Sequence, residues 1–284
     1  MRIHQSDLKS YQRCGEQHRR QRNGEQGKQL SATAFGSVMH NALHTLERHR
    51  DLPLALQTFE YYWHPLNIDQ ICTPVEEWIM KQTYSTLLAK GRETLKRYWD
   101  LKQYDDEEVL ALEYPFIVPI EGTWDDDLGK PHELAGTVDR LAVRHYQRRL
   151  HVCVDDWKTG KKPFYLRHNI QFTAYAYATT RQEFWTGWFE DALPDGFGEE
   201  RGYQLYQRFA DAPRHGWWIN VMGGPDWIDA GLREDRDYRR FMHSVDQYVK
   251  AVKGGIFPLN IDGSTCAFCP FRDDCPEGID RTHA

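Results

Sequence analysis

Several features that would place a chain of 284 residues in a special class are missing from this sequence. It has no apolar run approaching the ~18 residues that a membrane-spanning helix requires. Its opening stretch, MRIHQSDLKSYQRC, lacks the apolar segment of a signal peptide. It has no internal repeat and no low-complexity segment. We therefore expect a cytoplasmic globular protein without membrane contact.

An excess of positive charge is also missing. The formal net charge is -6, whereas nucleic-acid-binding proteins are more often basic. This disfavours a nucleic-acid binder only weakly, because an acidic metal site and a local basic groove can coexist in one enzyme. Hydrophobic residues make up 40% of the chain and aromatic residues 13%, so a sizeable core can form. The length fits one large domain or two small ones.

The first third of the chain predicts helices. The stretch TAFGSVMHNALHTLERHR has apolar residues at helical spacing. A second, longer helix is predicted to begin at Thr73, which can act as N-cap, with Pro74 at the first helical position and Glu76 completing a capping box. It is expected to run to about Trp99.

The middle of the chain then predicts a sheet. Strand-like runs of β-branched and aromatic residues occupy 109–120, 133–144 and 150–159, with a further strand at 216–222. The second and third runs are separated only by HYQRR, so they are expected to be antiparallel neighbours. NIQFTAYAYATTR predicts a helix, and a closing helix ends at Gly254. The order predicts an α/β or α+β sheet core with an N-terminal helical elaboration.

The strand HVCVDDWKT ends on charged residues. Because side chains alternate along a strand, Asp156 and Lys158 share one face and Asp155 lies on the other. If the hairpin register places Asp139 opposite Asp156, two carboxylates and an ammonium group meet, whereas a shift by one residue pairs Asp139 with Asp155. The sequence leaves both registers open, and the Asp-x-Lys spacing favours Asp156.

Such a group of charges suggests metal chemistry. Close carboxylates repel each other, and Mg²⁺ binds through one or two carboxylates while it keeps several waters. A bound divalent ion can polarise a phosphate and activate water, and a neighbouring lysine can stabilise developing negative charge. This is chemistry for hydrolysing phosphodiesters. A surface hairpin with solvated charges is the alternative interpretation.

An ordered set of motifs surrounds this hairpin. It comprises GSVMH ending in His40, GTVDR with Asp139, DWKT with Asp156 and Lys158, and QFTAY with Gln171 and Tyr175. In this order the motifs resemble the PD-(D/E)XK nuclease superfamily, and specifically its RecB-like exonuclease branch, which includes the Cas4-like nucleases and many phage exonucleases. The resemblance covers residues 36 to 175.

The resemblance implies a role for each motif residue. His40, Asp139 and Asp156 would bind Mg²⁺ or Mn²⁺, and Asp139 and Asp156 would form the catalytic set together with Lys158. An aspartate stands where many relatives have glutamate before x-Lys. Glu113 lies on the preceding strand, where an exposed strand acid is the preferred interpretation and metal support the alternative.

The resemblance assigns nucleic-acid contacts to the following helix. Gln171 and Tyr175 lie one turn apart on it and would place the nucleic acid. An N-terminal arm carrying Arg13, Arg19, Arg20 and Arg22 could contact phosphates; a solvated charged helix face is the alternative.

The cysteines form a separate pattern. Three of the six cysteines, Cys266, Cys269 and Cys275, have the spacing C-x2-C-x5-C, and Cys14 is the natural fourth ligand. This arrangement resembles the iron-sulfur nucleases of the same branch, which implies a [4Fe-4S] cluster that joins the two chain ends. Zinc is the alternative, and disulfides are disfavoured in the cytoplasm. Cys72 and Cys153 fit no such spacing and are interpreted as buried thiols.

Together these expectations define one hypothesis. The fold is an α/β restriction-endonuclease-like mixed sheet flanked by helices, with the cysteine cluster joining the chain ends. Residues 1–284 form a single nuclease domain, with a helical part at 31–105, a nuclease core at 106–253 and an iron-sulfur region that combines residue 14 with 262–280.

The expected activity is that of a metal-dependent DNA exonuclease. Its substrate would be single-stranded DNA or a DNA end, and it would work with a protein partner in recombination, repair, phage replication or CRISPR adaptation. The alternatives are a nuclease-fold protein that binds nucleic acid or a partner without cutting, and a structure-specific endonuclease.

Overall fold

The computed structural model describes residues 1–68, 75–77, 82–102, 107–146, 148–159, 166–187, 198–220, 226–261, 265–266 and 269–275. Its helices are α1 Gln5–Arg13, α2 Gly15–Arg22, α3 Ser31–His49, α4 Leu52–Trp63, α5 Tyr84–Lys102, α6 Ile170–Thr179, α7 Gln182–Thr186, α8 Glu199–Phe209 and α9 Asp235–Lys253. Its strands are β1 Arg2–His4, β2 Gln29–Leu30, β3 Val75–Glu77, β4 Glu108–Pro119, β5 Glu133–Tyr146, β6 Arg149–Lys158, β7 Arg214–Asn220 and β8 Asp226–Leu232, and a short 3₁₀ helix spans Leu166–His168.

A six-stranded mixed sheet organises the molecule, and β5 is its central strand. β4 pairs antiparallel with one edge of β5. The other edge of β5 is shared, because β1 pairs with its first part in parallel and β6 pairs with its second part antiparallel. β7 continues the sheet in parallel with β6, and β8 closes it antiparallel to β7.

Each face of the sheet is covered by its own group of helices. On one face the apolar side chains of β4, β5 and β6 pack against α6, α7, α8 and α9. On the other face α3, α4 and α5 pack around Trp157 and Ile219 of the sheet. Burial of both faces explains why the strands read as nearly continuous apolar runs in the sequence. The structure thus has the α/β architecture with a mixed sheet and flanking helices that the sequence predicts.

The prediction that a helix begins at Thr73 is wrong. Thr73 and Pro74 lie outside the described residues, but Val75–Glu77 form strand β3, which pairs in parallel with β2. The helix of this region is α5 and begins at Tyr84. Tertiary pairing overrides a local capping pattern here, because two strands far apart in sequence satisfy each other's backbone groups.

Helix α4 was not predicted from the sequence, although its start carries a recognisable signal. Asp51 is its N-cap and accepts a hydrogen bond from the Leu54 backbone N–H at 2.9 Å. Its buried face contributes Phe59 and Trp63 to the packing against α3. No helix among the described residues is long and apolar enough to cross a membrane.

Candidate metal centre

The candidate site lies in a gap on one edge of β5. β1 ends at His4, paired with Ala135, while the pairing of β6 with β5 is recorded from Tyr146 to Arg140. The carboxyl ends of β1 and β6 therefore converge beside residues 136–139 of β5. Neither β1 nor β6 pairs with this stretch of β5, so side chains and a cavity lie beside it.

Three carboxylates lie in one row across the sheet at this gap. Leu112 pairs with Arg140 and Tyr114 with Val138, so Glu113 of β4 faces Asp139 of β5. Arg140 pairs with Asp155, so the same register sets Asp139 beside Asp156 of β6. Of the two registers that the sequence left open, the structure has the one that joins Asp139 and Asp156.

Asp155 points into a different environment. Its carboxylate is fully buried and binds the guanidinium groups of Arg140 and Arg144. Both arginines also bind Glu107. The acid next to Asp156 in the sequence therefore belongs to a buried ion network on the opposite face of the strand, away from the gap.

His40 reaches the carboxylate row from helix α3. Its Nδ1 lies 3.0 Å from Glu113 Oε1 and 3.8 Å from Asp139 Oδ2. Its Nε2 lies 3.1 Å from the Trp157 carbonyl oxygen, an acceptor that makes Nε2 the donor and orients the ring. Burial opposes the protonated ring, but Asp139 and Glu113 outweigh it and raise the pKa of His40 to about 9.

The two aspartates are almost completely inaccessible to solvent. Burial raises the pKa of Asp139 despite the opposing charges of His40 and Lys158. Burial also raises the pKa of Asp156 to about 6, although Lys158 opposes the shift. Asp139 Oδ2 accepts the Trp157 backbone N–H at 2.8 Å. Among the described residues, Asp156 Oδ2 has no hydrogen-bond partner.

The remaining motif residues surround Asp156. Lys158 Nζ donates to Asp156 Oδ1 at 2.5 Å, and Gln171 Nε2 donates to the same oxygen at 2.9 Å. Gln171 Nε2 also lies 2.9 Å from the Tyr175 hydroxyl. Gln171 and Tyr175 are both buried. Their common effect in the structure is to fix Asp156, and their predicted contact with nucleic acid stays a prediction.

The residues at the row fit a divalent cation. Within the described part of the chain, His40, Glu113 and Asp139 form a group whose potential ligand atoms all lie within 4.8 Å of one another. The unpartnered Asp156 Oδ2 is the kind of buried oxygen that a metal ion would satisfy. Carboxylate oxygens with one imidazole suit Mg²⁺ or Mn²⁺. The predicted set therefore gains Glu113, which the sequence interpretation had set aside as an exposed acid.

A second residue that the sequence analysis missed is Lys9 of α1. Its ammonium group is near enough to the site that partial burial and repulsion from Lys158 lower the pKa of Lys9, while Asp156 opposes the shift. The sequence carries no motif for this residue, because α1 reaches the site only through the pairing of β1 with β5.

Two cavities adjoin the row. One, of about 560 Å³, includes Asp139, Lys158, Gln171 and Tyr175 in its lining. The other, of about 700 Å³, includes His40 and Glu113 together with other residues of α3. Residues of the row therefore line two spaces that are open to solvent.

The four cysteines of the predicted cluster line one common cavity. Cys14 contributes from the junction of α1 and α2, and Cys266, Cys269 and Cys275 contribute from the C-terminal tail. Among the described residues, no three of these cysteines bring their sulfur atoms within 4.8 Å of one another. The structure therefore places them around one space and does not show a formed cluster.

Two arginines of the N-terminal arm bind the same tail. Arg13 donates to the Thr265 carbonyl at 3.2 Å, and Arg20 donates to the Asp274 carbonyl at 3.0 Å. Arg19 and Arg20 both pair with Glu16. These contacts account for three of the arm's arginines within the protein itself.

Comparisons with known proteins give one family match. A family model of the PD-(D/E)XK nuclease superfamily matches residues 2–276, nearly the whole chain. No curated protein matches the sequence.

Proposed function

The chain belongs to the PD-(D/E)XK nuclease superfamily, and from this membership we propose that it is a Mg²⁺- or Mn²⁺-dependent deoxyribonuclease that acts as an exonuclease on single-stranded DNA or DNA ends. The observation that carries the proposal is the row of Glu113, Asp139 and Asp156, which His40 meets on one side and Lys158 on the other. Its setting would be recombination, repair, phage replication or CRISPR adaptation, with a protein partner from that process.

The metal would be held by His40, Asp139 and Asp156, with Glu113 as a further oxygen donor. A bound Mg²⁺ or Mn²⁺ would polarise the scissile phosphate and lower the pKa of a water molecule near it. His40 would bind through Nδ1, because Nε2 is held by the Trp157 carbonyl. Such a carbonyl contact to the second ring nitrogen is how proteins commonly orient a metal-binding histidine.

Lys158 would act on the phosphate. Burial opposes its charge, but Asp156 and Asp139 outweigh burial and raise the pKa of Lys158, so it is a cation at neutral pH. A fixed ammonium group beside the metal ligands can stabilise the negative charge that develops as the phosphorus–oxygen bond breaks. It can also orient the attacking water through one of its N–H groups.

Gln171 and Tyr175 would position Asp156. The Gln171 amide donates to Asp156 Oδ1, the oxygen that Lys158 also binds. Oδ2 is then the oxygen left for the metal. Both side chains also line the cavity of about 560 Å³ beside the site, so a bound strand would pass them.

Single-stranded DNA fits the open spaces around the row. The two cavities, of about 560 and 700 Å³, are lined by Asp139 and by Glu113 respectively. A strand that crosses from one cavity to the other brings a phosphate over the ligands.

The cysteines would bind an iron-sulfur cluster. Cys14, Cys266, Cys269 and Cys275 line one cavity, so four thiolates are available to one site. The resemblance of their spacing to the iron-sulfur nucleases favours a [4Fe-4S] cluster, and zinc is the alternative.

The test is digestion of one labelled oligonucleotide as a single strand, as a blunt duplex and as a closed circle, each with Mg²⁺ or Mn²⁺. The single strand should be cut fastest, and Asp139→Ala and Lys158→Ala should abolish cutting of every substrate. Asp126→Ala, which removes an exposed acid outside the site, is the matched control. Rapid cutting of the circle would indicate an endonuclease. Binding without cutting would indicate a non-catalytic protein.

A further inference from the structure

A basic groove lies beside the metal centre and has no role in the chemistry described so far. It is formed by Gln12 of α1, the 3₁₀ helix, the first turn of α6 and the N-terminal half of α9, and it encloses about 500 Å³. We call it the arginine groove. Its basic lining residues are Arg167, His168, Arg236, Arg239, Arg240 and His243.

Acidic groups do not balance the charge of the arginine groove. Among its described lining residues, Asp237 is the only carboxylate. Asp237 is buried and accepts the Glu234 backbone N–H at 3.1 Å at the start of α9. Glu234 lies 3.5 Å from Arg167, but both side chains are half exposed, so this pair contributes little.

Exposed basic side chains lie together on one face of α9. Arg236, Arg239, Arg240 and His243 follow the spacing that places side chains on one helix face, and all are exposed. Asp235 and Asp237 in the first turn of α9 complement the helix dipole, whereas Arg236 in the same turn opposes it. Neighbouring like charges in such a position indicate an anionic ligand.

The groove presents the guanidinium groups above an apolar floor. Ile170 and the buried Phe241 line its base. On its rim, Arg240 Nη1 lies 3.2 Å from His168 Nδ1, which fixes the orientation of one guanidinium group. Planar guanidinium groups match the paired oxygens of a phosphate.

Helix α1 connects the arginine groove with the metal centre. Gln5 and Ser6 line the cavity that contains Asp139, and Gln12 lines the groove. The separation of seven residues along a helix corresponds to about 10 Å, which two or three nucleotides span at a rise of about 3.4 Å or more. Lys9 lies between them on the same helix.

We propose that the arginine groove binds the phosphate backbone of the single-stranded DNA whose end lies at the metal centre. The proposal rests on the proposed function, because it names the path of that substrate. The groove would hold the strand through its charge and without reading the bases, since phosphate contacts carry no sequence information.

The experiment measures binding apart from cutting. A fluorescent single-stranded oligonucleotide is titrated with protein in EDTA at increasing salt, and anisotropy gives the affinity. The double variant Arg236→Gln/Arg240→Gln is compared with Lys250→Gln/Lys253→Gln, which removes two charges from the exposed C-terminal end of the same helix.

Two phosphate contacts contribute about 1.4 to the slope of log affinity against log salt on a single strand. The groove variant should lose about that much slope. If both proteins bind equally at 1 M salt, the variant should therefore bind about 25-fold more weakly than the wild type at 0.1 M salt. The control variant should keep the wild-type slope. Equal slopes and affinities in the groove variant and the wild type would overturn the proposal, as would an equal loss in both variants.

A second measurement locates the contact. One neutral methylphosphonate is moved along the oligonucleotide, and each position is tested with both proteins. Neutralising a phosphate that the groove binds should weaken binding by the wild type and leave the affinity of the groove variant unchanged. If no position on the oligonucleotide behaves in this way, the proposal is overturned. Cutting with Mn²⁺ is scored separately. If the protein cuts DNA and the groove variant binds as tightly as the wild type, only the groove proposal is overturned. If binding depends on the groove but no DNA is cut, the proposed nuclease activity is overturned and the groove proposal stands.

Discussion

The substitution Asp156→Asn is expected to stabilise the metal-free protein while it abolishes cleavage. Asp156 is fully buried, and burial raises its pKa to about 6 from an ordinary value of 3.8. A carboxyl whose pKa is higher in the folded state binds more protons there than in the unfolded state. The contribution of Asp156 to stability therefore falls as the pH rises from 3.8 to 6 and stays low above 6.

The size of this effect follows from the two pKa values. Their difference corresponds to about 3 kcal/mol at 1.36 kcal/mol for each pH unit. Asparagine carries no charge and keeps nearly the same volume, so Asp156→Asn removes this cost. With an unfolding entropy of about 2.1 cal/mol/K per residue and 284 residues, the Tm would rise by about 5 °C.

The assay is thermal unfolding in EDTA from pH 4 to pH 8. The variant and the wild type should have similar Tm values near pH 4 and diverge as the pH rises, with the variant more stable at pH 8. Saturating Mn²⁺ should reverse the order, because the wild type gains binding free energy that the variant lacks. Asp126→Asn, at an exposed acid, should leave the Tm unchanged at every pH.

A lower Tm of the variant at pH 8 would refute this reasoning. It would mean that the hydrogen bond from Lys158 to Asp156, at 2.5 Å, stabilises the ionised carboxylate by more than burial destabilises it. An unchanged Tm would mean that the two effects cancel. Retention of cleavage by the variant would remove Asp156 from the proposed catalytic set.

Three further predictions concern separate parts of the molecule. Mn²⁺ binding should release protons, and its affinity should rise between pH 6 and pH 9 by up to about tenfold per pH unit. The reason is that burial opposes the protonated His40 ring, but Asp139 and Glu113 outweigh it and raise the pKa of His40 to about 9. Calorimetry in buffers of different ionisation enthalpy measures the proton release, and a pH-independent affinity would contradict ligation by His40. Asp155→Ala removes one of the carboxylates that bind the buried Arg140, which keeps its pair with Glu107. It should cost up to about 3–5 kcal/mol in urea unfolding, while the protein that remains folded still cuts. Loss of cutting at unchanged stability would contradict the assignment of Asp155 to structure. Cys14→Ser should abolish the brown colour and acid-labile sulfide of anaerobically purified protein, whereas Cys153→Ala should keep both; stoichiometric zinc in a colourless wild type would indicate a zinc site.

Local patterns in the sequence were sufficient to predict the hairpin of β5 and β6 and helices α3, α6 and α9. Each of these elements has a long run of apolar residues with the period of a strand or a helix, so the local pattern decides its structure without help from distant segments. β1 could not be predicted, because it has three residues and is defined only by its pairing with Glu133–Ala135. The false start at Thr73 has the same origin, since the pairing of β3 with β2 decides the structure there.

The candidate site divides in the same way. His40, Asp139 and Asp156 lie within quotable motifs, and the structure brings them together. Glu113 lies in an otherwise apolar strand, and only the register of β4 against β5 shows that it faces Asp139. Lys9 is placed by the fold alone. Residues that reach a site across a register or along a docked helix are therefore the ones that sequence patterns miss.

The shared edge of β5 has a consequence for the order in which the molecule becomes active during folding. β1 and β5 are joined across a separation of 131 residues, as the pair Arg2–Glu133 shows. Contacts between such distant segments form late, because closing a long loop costs entropy before any contact repays it. β4, β5 and β6 can pair with their sequence neighbours first. The wall of the gap that carries α1 and Lys9 is then added last, so a half-folded chain presents the carboxylate row without the basic helix that would hold a strand against it.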